Sequence, residues 1–118
     1  MTTSLRMLVF ATAIGMAMVA CSDESHVRSE LLQKTPIGTS FEEILSYCAN
    51  RNLKCRQSNT AGYLNQKTGQ VVGVRSIWTV LSERKETPLT ISSISAYWGF
   101  DKEGRLLDIW VWKTVDAP

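Results

Sequence analysis

The chain has 118 residues, with 13 lysine and arginine residues against 11 aspartate and glutamate residues and a formal net charge of +2. A chain of this length forms one small domain rather than two. Acidic and basic residues alternate along it without a basic cluster, so the composition gives no indication of a nucleic-acid partner.

The first twenty residues have the composition of an export signal. One positive charge, Arg6, precedes an almost unbroken apolar run from Met7 to Ala20. A run of this length is typical of the hydrophobic region of a signal peptide and is short for a transmembrane helix. We therefore predict that residues 1–20 are a signal peptide.

The apolar run ends at a cysteine. The segment Met18–Cys21 (MVAC) resembles the lipobox at which lipoprotein signal peptides are cut, with Met18 where leucine is usual. A buried core helix is a poorer interpretation, because the polar residues 22–25 follow at once. We predict that Cys21 carries lipid and anchors the protein in a membrane. Ser22, in place of the aspartate that typically retains lipoproteins at the inner membrane, favours the periplasmic face of the outer membrane.

Residues 21–34 combine the anchor with a polar, charged stretch that is typical of a tether. His26, the only histidine of the chain, falls in this stretch, and we expect it to be solvated rather than catalytic or metal-binding. The apolar spacing allows a short helix over about 26–34, which Pro36 would end. The single domain is predicted to occupy residues 35–118.

A capped helix is predicted over about residues 40–51. Its apolar residues follow the helical spacing i, i+3, i+4, i+7 and are Phe41, Ile44, Leu45 and Cys48. A capping box fits the sequence in either of two frames, Thr39 with Glu42 or Ser40 with Glu43.

Beyond this helix the apolar pattern becomes that of strands. A short strand is predicted over 53–58, a turn-rich segment over 59–69 and a long strand over 71–82. Residues 71–82 also fit a helical spacing in part, but their β-branched residues and Gly73 favour a strand. A charged turn is predicted over 83–88.

A C-terminal β-hairpin is predicted from two β-rich runs, residues 91–100 and 105–114. They flank a four-residue turn that ends at Gly104, where a positive φ angle suits glycine. In the register that this turn favours, Trp98 opposes Leu107.

This register separates the hairpin into two faces. The apolar face consists of Ile94, Ala96, Trp98, Leu107, Ile109 and Val111. The opposite face carries Tyr97, Trp110 and Trp112, and a slip by one residue would mix the two faces. The elements together predict an α+β fold of two layers, with one or two N-terminal helices packed on a three- to four-stranded antiparallel sheet.

Two segments resemble those of a known lipoprotein family. Ile37–Ile44 (IGTSFEEI) is similar to a glycine-containing lead into a capped helix, and Trp98–Leu106 (WGFDKEGRL) to a strand that ends in Phe-Asp before a turn. In these segments the chain resembles the small outer-membrane lipoproteins of the BamE/SmpA type. The resemblance implies a lipobox, a polar tether, two short helices and a three-stranded antiparallel sheet, and a role in assembling membrane proteins.

Cys48 and Cys55 are separated by six residues. This spacing fits neither a C-x-x-C redox motif nor a paired zinc-binding motif. In an exported protein we expect a structural disulfide between them, and the alternative is two buried free thiols.

No group of residues forms a recognisable catalytic or metal-binding motif, so we predict no enzymatic activity, no metal and no cofactor. Asp101 and Glu103 are explained by a hairpin tip. Asp108 lies between apolar residues, and we expect it to pair with an arginine across the sheet. No small-molecule substrate is inferred.

Tyr97, Trp110 and Trp112 are the predicted partner-binding residues, because aromatic side chains contribute strongly to interfaces. The alternative is that the loop over residues 59–69 packs over them. We expect a Trp110→Ala variant to bind a partner less well without unfolding.

The sequence therefore predicts a membrane-tethered, non-enzymatic protein-interaction or scaffold domain of the cell envelope, with a protein partner. The alternative is a periplasmic inhibitor or immunity protein that blocks a hydrolase or a toxin.

Overall fold

The computed structural model describes residues 24–116. The predicted signal peptide (residues 1–20) and the lipidation residue Cys21 lie outside the described residues. Two helices and six strands follow one another: α1 (Glu24–Lys34), α2 (Phe41–Asn50), β1 (Arg56–Ser58), β2 (Tyr63–Asn65), β3 (Gln70–Val72), β4 (Arg75–Thr87), β5 (Thr90–Phe100) and β6 (Leu106–Asp116).

The strands form two antiparallel sheets. The larger sheet has four strands in the order β1-β4-β5-β6, and β2 and β3 form a separate two-stranded sheet. The predicted α+β class is confirmed. The second, smaller sheet was not predicted, because the segment over 59–69 contains many turn residues around its short apolar stretch.

Helix α2 begins at one of the two caps that the sequence allows. Ser40 is the residue used, because its Oγ accepts a hydrogen bond from the backbone N–H of Glu43 at 3.1 Å. Thr39 instead donates its hydroxyl to the carbonyl of Pro36. The predicted apolar face of α2 packs on the sheet, where the ring of Phe41 meets that of Phe100 at 4.9 Å between centroids.

The inner face of the four-stranded sheet, on which the helices pack, holds the core. Trp98 lies at its centre, fully buried between Ile77 on β4 and Ile109 on β6. Its indole Nε1 donates to Thr35 Oγ1 at 3.1 Å, and Thr35 Oγ1 in turn donates to the carbonyl of Leu31. The buried polar groups are thus paired, and an unpaired group would cost about 1–3 kcal/mol.

The register between β5 and β6 differs by two residues from the predicted one. Trp98 opposes Ile109 and not Leu107 for two reasons. The connection is one residue longer than predicted, because Phe100 pairs with Leu106 and not with Arg105, and an irregularity beside Phe100 leaves Leu107 out of the pairing. Leu106 therefore takes the buried place that was predicted for Leu107, which is 45% exposed. The periodic pattern of apolar residues does not reveal such a bulge.

The prediction of one long strand over 71–82 was wrong. The chain leaves β3 and enters β4 through Gly73, whose φ angle of +78° is one that other residues rarely adopt. A Cβ atom at this position would also lie 2.5 Å from the carbonyl oxygen of Phe100. The glycine therefore ends one strand and lets the next begin.

The predicted charged turn over 83–88 was wrong as well. Strand β4 continues to Thr87, and only Pro88 and Leu89 connect it to β5. Its charged side chains are tolerated because this part of the sheet is exposed on both sides. We call residues 82–94 the arm.

Residues 24–34 pack against the domain and do not form a free tether. Helix α1 runs beside β6, an edge strand of the sheet. The carboxylate of Glu24 accepts a hydrogen bond from the N–H of Lys113 at 3.1 Å, and Arg28 Nε donates to the carbonyl of Ile109 at 2.7 Å. These contacts satisfy backbone groups of the edge and hinder its pairing with another chain. Neither helix of the described part is long and apolar enough to cross a membrane.

The predicted disulfide is present. Cys48 in the last turn of α2 is bonded to Cys55, with the two Cα atoms 6.2 Å apart. The bond therefore joins the end of the helix to the start of β1.

We expect reduction of this disulfide to lower the free energy of unfolding by about 2–3 kcal/mol, because a closed loop restricts the unfolded chain. Urea unfolding with and without dithiothreitol measures the loss. A Cys48→Ala/Cys55→Ala variant is the control, since its stability should not respond to the reductant. Two freely alkylated thiols in the unreduced protein would contradict the bond.

Candidate functional site

The outer face of the four-stranded sheet, opposite the helices, carries a row of aromatic side chains. The pairing places Arg56, Trp78, Tyr97 and Trp110 side by side across all four strands. The ring centroids of Tyr97 and Trp110 are 4.9 Å apart. Trp112, two residues farther along β6, lies 5.0 Å from Trp110. We call Trp78, Tyr97, Trp110 and Trp112 the aromatic face.

The structure brings the three predicted partner-binding residues together. The register error did not separate them, because beyond the irregularity at Leu107 the shift is two residues, which keeps the side chains from Asp108 onward on their predicted face. The sequence analysis missed Trp78, which stacks on Tyr97 at 6.1 Å. Its alternation with the buried Ile77 on β4 is the signal that places it on the outer face.

The hairpin of β2 and β3 covers one end of the aromatic face. Tyr63 on β2 is 5% exposed, and its ring lies 6.1 Å from that of Trp110 and 5.9 Å from that of Tyr97. The alternative in which residues 59–69 pack over the aromatic side chains is therefore correct for Trp110, which is 8% exposed. Because Tyr63 covers Trp110, a partner would contact the neighbours of Trp110 instead.

Gly99 allows the hairpin to approach this closely. A Cβ atom at Gly99 would lie 2.8 Å from the carbonyl oxygen of Val72 and 2.9 Å from the ring of Tyr63. Such distances are shorter than packed side chains tolerate. The absence of a side chain at Gly99 on β5 therefore determines where the hairpin of β2 and β3 packs.

The rest of the aromatic face is partly exposed. In the row next to Trp110, the small Ser95 lies between Val80 on β4 and Trp112 on β6. Val80 is 41% exposed, and Trp112 is partly exposed. This region is apolar at both sides and is partly accessible to solvent.

A groove of about 510 Å³ adjoins the Trp78 end of the aromatic face. Lys54, Arg56 and Glu83 are among its lining residues. The guanidinium carbon of Arg56 lies 5.5 Å from the centroid of the Trp78 ring, in the range of a cation–π contact. The exposed aromatic surface is therefore bordered by charge on this side.

Asp108 pairs with an arginine, but not across the sheet as predicted. Its partner is Arg28 of α1, at 2.6 Å, because the helix lies directly beside β6. Both side chains are close to half exposed, so the pair contributes at most about 1 kcal/mol to stability. Asp108 thus has a structural partner.

Burial changes the acidity of two tyrosines at the site. The pKa of Tyr63 is raised well above its usual value, first by burial and then by the negative charge of Asp108, with Arg28 acting in the opposite direction. Burial also raises the pKa of Tyr97. Both hydroxyls therefore stay protonated to a higher pH than the hydroxyl of a solvent-exposed tyrosine.

The remaining polar candidates have local partners. His26 Nε2 lies 3.2 Å from a carboxylate oxygen of Glu30, one turn farther along α1. The carboxylate of Asp101 accepts hydrogen bonds from the backbone N–H groups of Glu103 and Arg105, as expected in a hairpin turn. Among residues 24–116, no three histidine, cysteine or acidic side chains gather into a metal site.

Comparison with family models, curated proteins and solved structures finds no match to this chain. The outer face of the sheet is therefore identified as the candidate site from its geometry alone.

We expect stability to fall as the pH rises above about 10, because the unfolded state loses the Tyr63 proton there while the folded state retains it. The slope from one such group is at most about 1.4 kcal/mol per pH unit. Urea unfolding between pH 8 and pH 11, at steps of about half a unit, measures it. A Tyr63→Phe variant should show a shallower fall.

A Tyr47→Phe variant is the matched control, because Tyr47 lies on α2, away from Asp108. If the free energy of unfolding fell equally steeply with pH in the wild type and in the Tyr63→Phe variant, Tyr63 would have the same pKa in the folded and unfolded states, which would contradict the prediction.

Proposed function

We propose that the protein is a non-enzymatic lipoprotein of the cell envelope whose aromatic face binds a protein partner. In this proposal lipid on Cys21 holds it at the periplasmic face of the outer membrane. The observation that carries the binding function is the uncovered part of the aromatic face, where Trp78, Tyr97 and Trp112 are partly exposed. Aromatic side chains in such positions supply much of the binding energy at protein interfaces.

The stacking of the rings favours a protein partner over a flat ligand. The ring planes of Trp110 lie within 27° of Tyr97 and within 19° of Trp112. Neighbouring rings therefore cover part of each other's faces. A sugar ring or a nucleic-acid base would need an open aromatic face on which to stack.

One further observation supports the envelope location. The disulfide between Cys48 and Cys55 suits an oxidising compartment. The proposed relation to the BamE/SmpA type rests on the two sequence segments, and the proposal does not include a role in assembling membrane proteins, because a shared fold does not imply a shared function.

Replacing the lipidated cysteine tests the location. We expect a Cys21→Ser variant to leave the outer-membrane fraction, because an uncleaved or unlipidated chain lacks the acyl chains that hold the protein at that membrane. Sucrose-gradient fractionation and mass spectrometry of the N-terminal peptide measure this. The Cys48→Ala/Cys55→Ala variant is the control for loss of cysteines. An unmodified Cys21 in the mature wild-type protein would contradict the anchor.

Replacing Trp112 tests the aromatic face. We expect a Trp112→Ala variant to bind the partner at least about tenfold more weakly, a loss of about 1.4 kcal/mol, while it remains folded. A photo-crosslinking residue at position 112 or Val80 should capture the partner, and the same residue at Ile37 should not. Ile37 is the matched control, because it is 57% exposed and lies in the connection between α1 and α2.

Trp110 is unsuitable for this test, because its burial contradicts the expectation that a Trp110→Ala change leaves the fold undisturbed. A Trp110→Ala variant removes a buried side chain and should cost about 3–5 kcal/mol of stability, so its binding defect would not report on contact. Unchanged affinity of the folded Trp112→Ala variant would contradict the proposed surface. A captured hydrolase or toxin would identify the protein as an inhibitor or immunity protein, and a captured envelope component would support the scaffold role.

A further inference from the structure

The direction of α1 determines which end of the domain lies near the membrane. Glu24, at the start of α1, binds the N–H of Lys113, and Arg28, one turn later, binds the carbonyl of Ile109. The helix therefore runs opposite to β6, and its first turn is fixed beside the C-terminal part of that strand. This reasoning rests on the lipid anchor of the proposed function.

The chain between the anchor and the helix is short. Cys21 precedes Glu24 by three residues, which span at most about 11 Å when fully extended. The membrane surface at Cys21 is therefore no farther than this from the start of α1.

The arm extends beyond the start of α1 towards the C-terminal end of β6, and it does so by more than the length of the tether. Lys113 pairs with Ile94 on β5, and the tip residue Leu89 lies five residues beyond Ile94. At about 3.3 Å per residue the tip lies about 17 Å past the level of Lys113. It reaches the membrane surface for any tilt of the strands up to about 50° from the bilayer normal.

The opposite orientation is unfavourable. With the arm pointing away from the membrane, the seven residues from Lys113 back to Leu106 would extend about 23 Å towards it, about twice the reach of the tether. The charged turn of Asp101, Lys102 and Glu103 would then enter the bilayer, where charges are costly.

The tip has the chemistry of a membrane contact. Leu89 is 73% exposed, more than any other large hydrophobic side chain of the described residues, and it follows the exposed Pro88. Val115, near the end of the neighbouring β6, is 60% exposed. The charged residues behind the tip on β4, residues 83–86, are two acidic and two basic, so this stretch carries no net charge that would attract or repel lipid.

We propose that the turn of Pro88 and Leu89 inserts into the interface of the membrane that carries the lipid anchor. The excess of the arm over the tether is about 6 Å, which matches the depth of 5–10 Å at which apolar groups of peripheral proteins lie. The protein is thereby held at two points, the lipid on Cys21 and the tip of the arm. Two points of contact restrict the tilt of the domain on the membrane and leave it free to turn only about the line that joins them.

A fluorescent probe at the tip tests this proposal. The mature lipidated protein with a Leu89→Cys substitution has one free thiol, because Cys48 and Cys55 are bonded and the thiol of Cys21 carries lipid. The thiol is labelled with an environment-sensitive nitrobenzoxadiazole dye, and the protein is reconstituted into phosphatidylethanolamine–phosphatidylglycerol vesicles. We expect quenching by doxyl-labelled lipid and protection from aqueous iodide, each differing at least about twofold from the control.

The control is a Lys102→Cys variant labelled in the same way, since Lys102 is exposed at the far end of the strands. If the protein floats with the vesicles and the dye at position 89 is as open to iodide as the dye at position 102, this inference is overturned and the proposed function stands. If the protein does not float with the vesicles, the anchor is wrong and both fall.

Discussion

The buried indole of Trp98 donates its one hydrogen bond to Thr35, in the connection between the two helices. Because Trp98 is fully buried, its indole N–H cannot donate to water. The helices must therefore pack on the sheet in the position that brings Thr35 Oγ1 to this N–H. The next residue, Gly99, points to the other side of the sheet and leaves room there for the hairpin of β2 and β3. Two adjacent residues of β5 thus position the helical layer on one face of the sheet and the cover on the other.

The sequence predicts well those parts of the fold that depend on local chemistry. The cap of α2 uses Ser40 with Glu43, one of its two predicted frames, and the alternation along β5 and β6 correctly separates Trp98 from Tyr97. The bulge at Leu107 could not be predicted, because both Leu106 and Leu107 satisfy the apolar pattern. The packing of Tyr63 over Trp110 could not be predicted either, since it depends on contacts between distant segments and on a missing side chain at Gly99.

The aromatic face combines stability with availability for binding. Trp110 is stacked against three other rings and is nearly inaccessible. It therefore holds its neighbours in fixed positions, and a rigid aromatic surface loses little conformational entropy when a partner binds. Trp112 lies at the border of this cluster and is partly exposed. The sequence identifies both residues as aromatic but cannot tell which one faces solvent, because burial of Trp110 comes from a hairpin that is distant in the chain.

Helix α1 has a further consequence for anyone who prepares this protein. Composition suggests that the folded domain begins at residue 35, after a polar stretch that looks dispensable. In the structure, Glu24 and Arg28 occupy backbone groups of the edge strand β6, and Leu31 fills part of the core. A recombinant fragment that starts at Thr35 would present a bare strand of eleven residues and an open apolar pocket to solvent. Such a fragment should precipitate or form strand-paired oligomers, and the soluble form has to retain the chain from Glu24 onward.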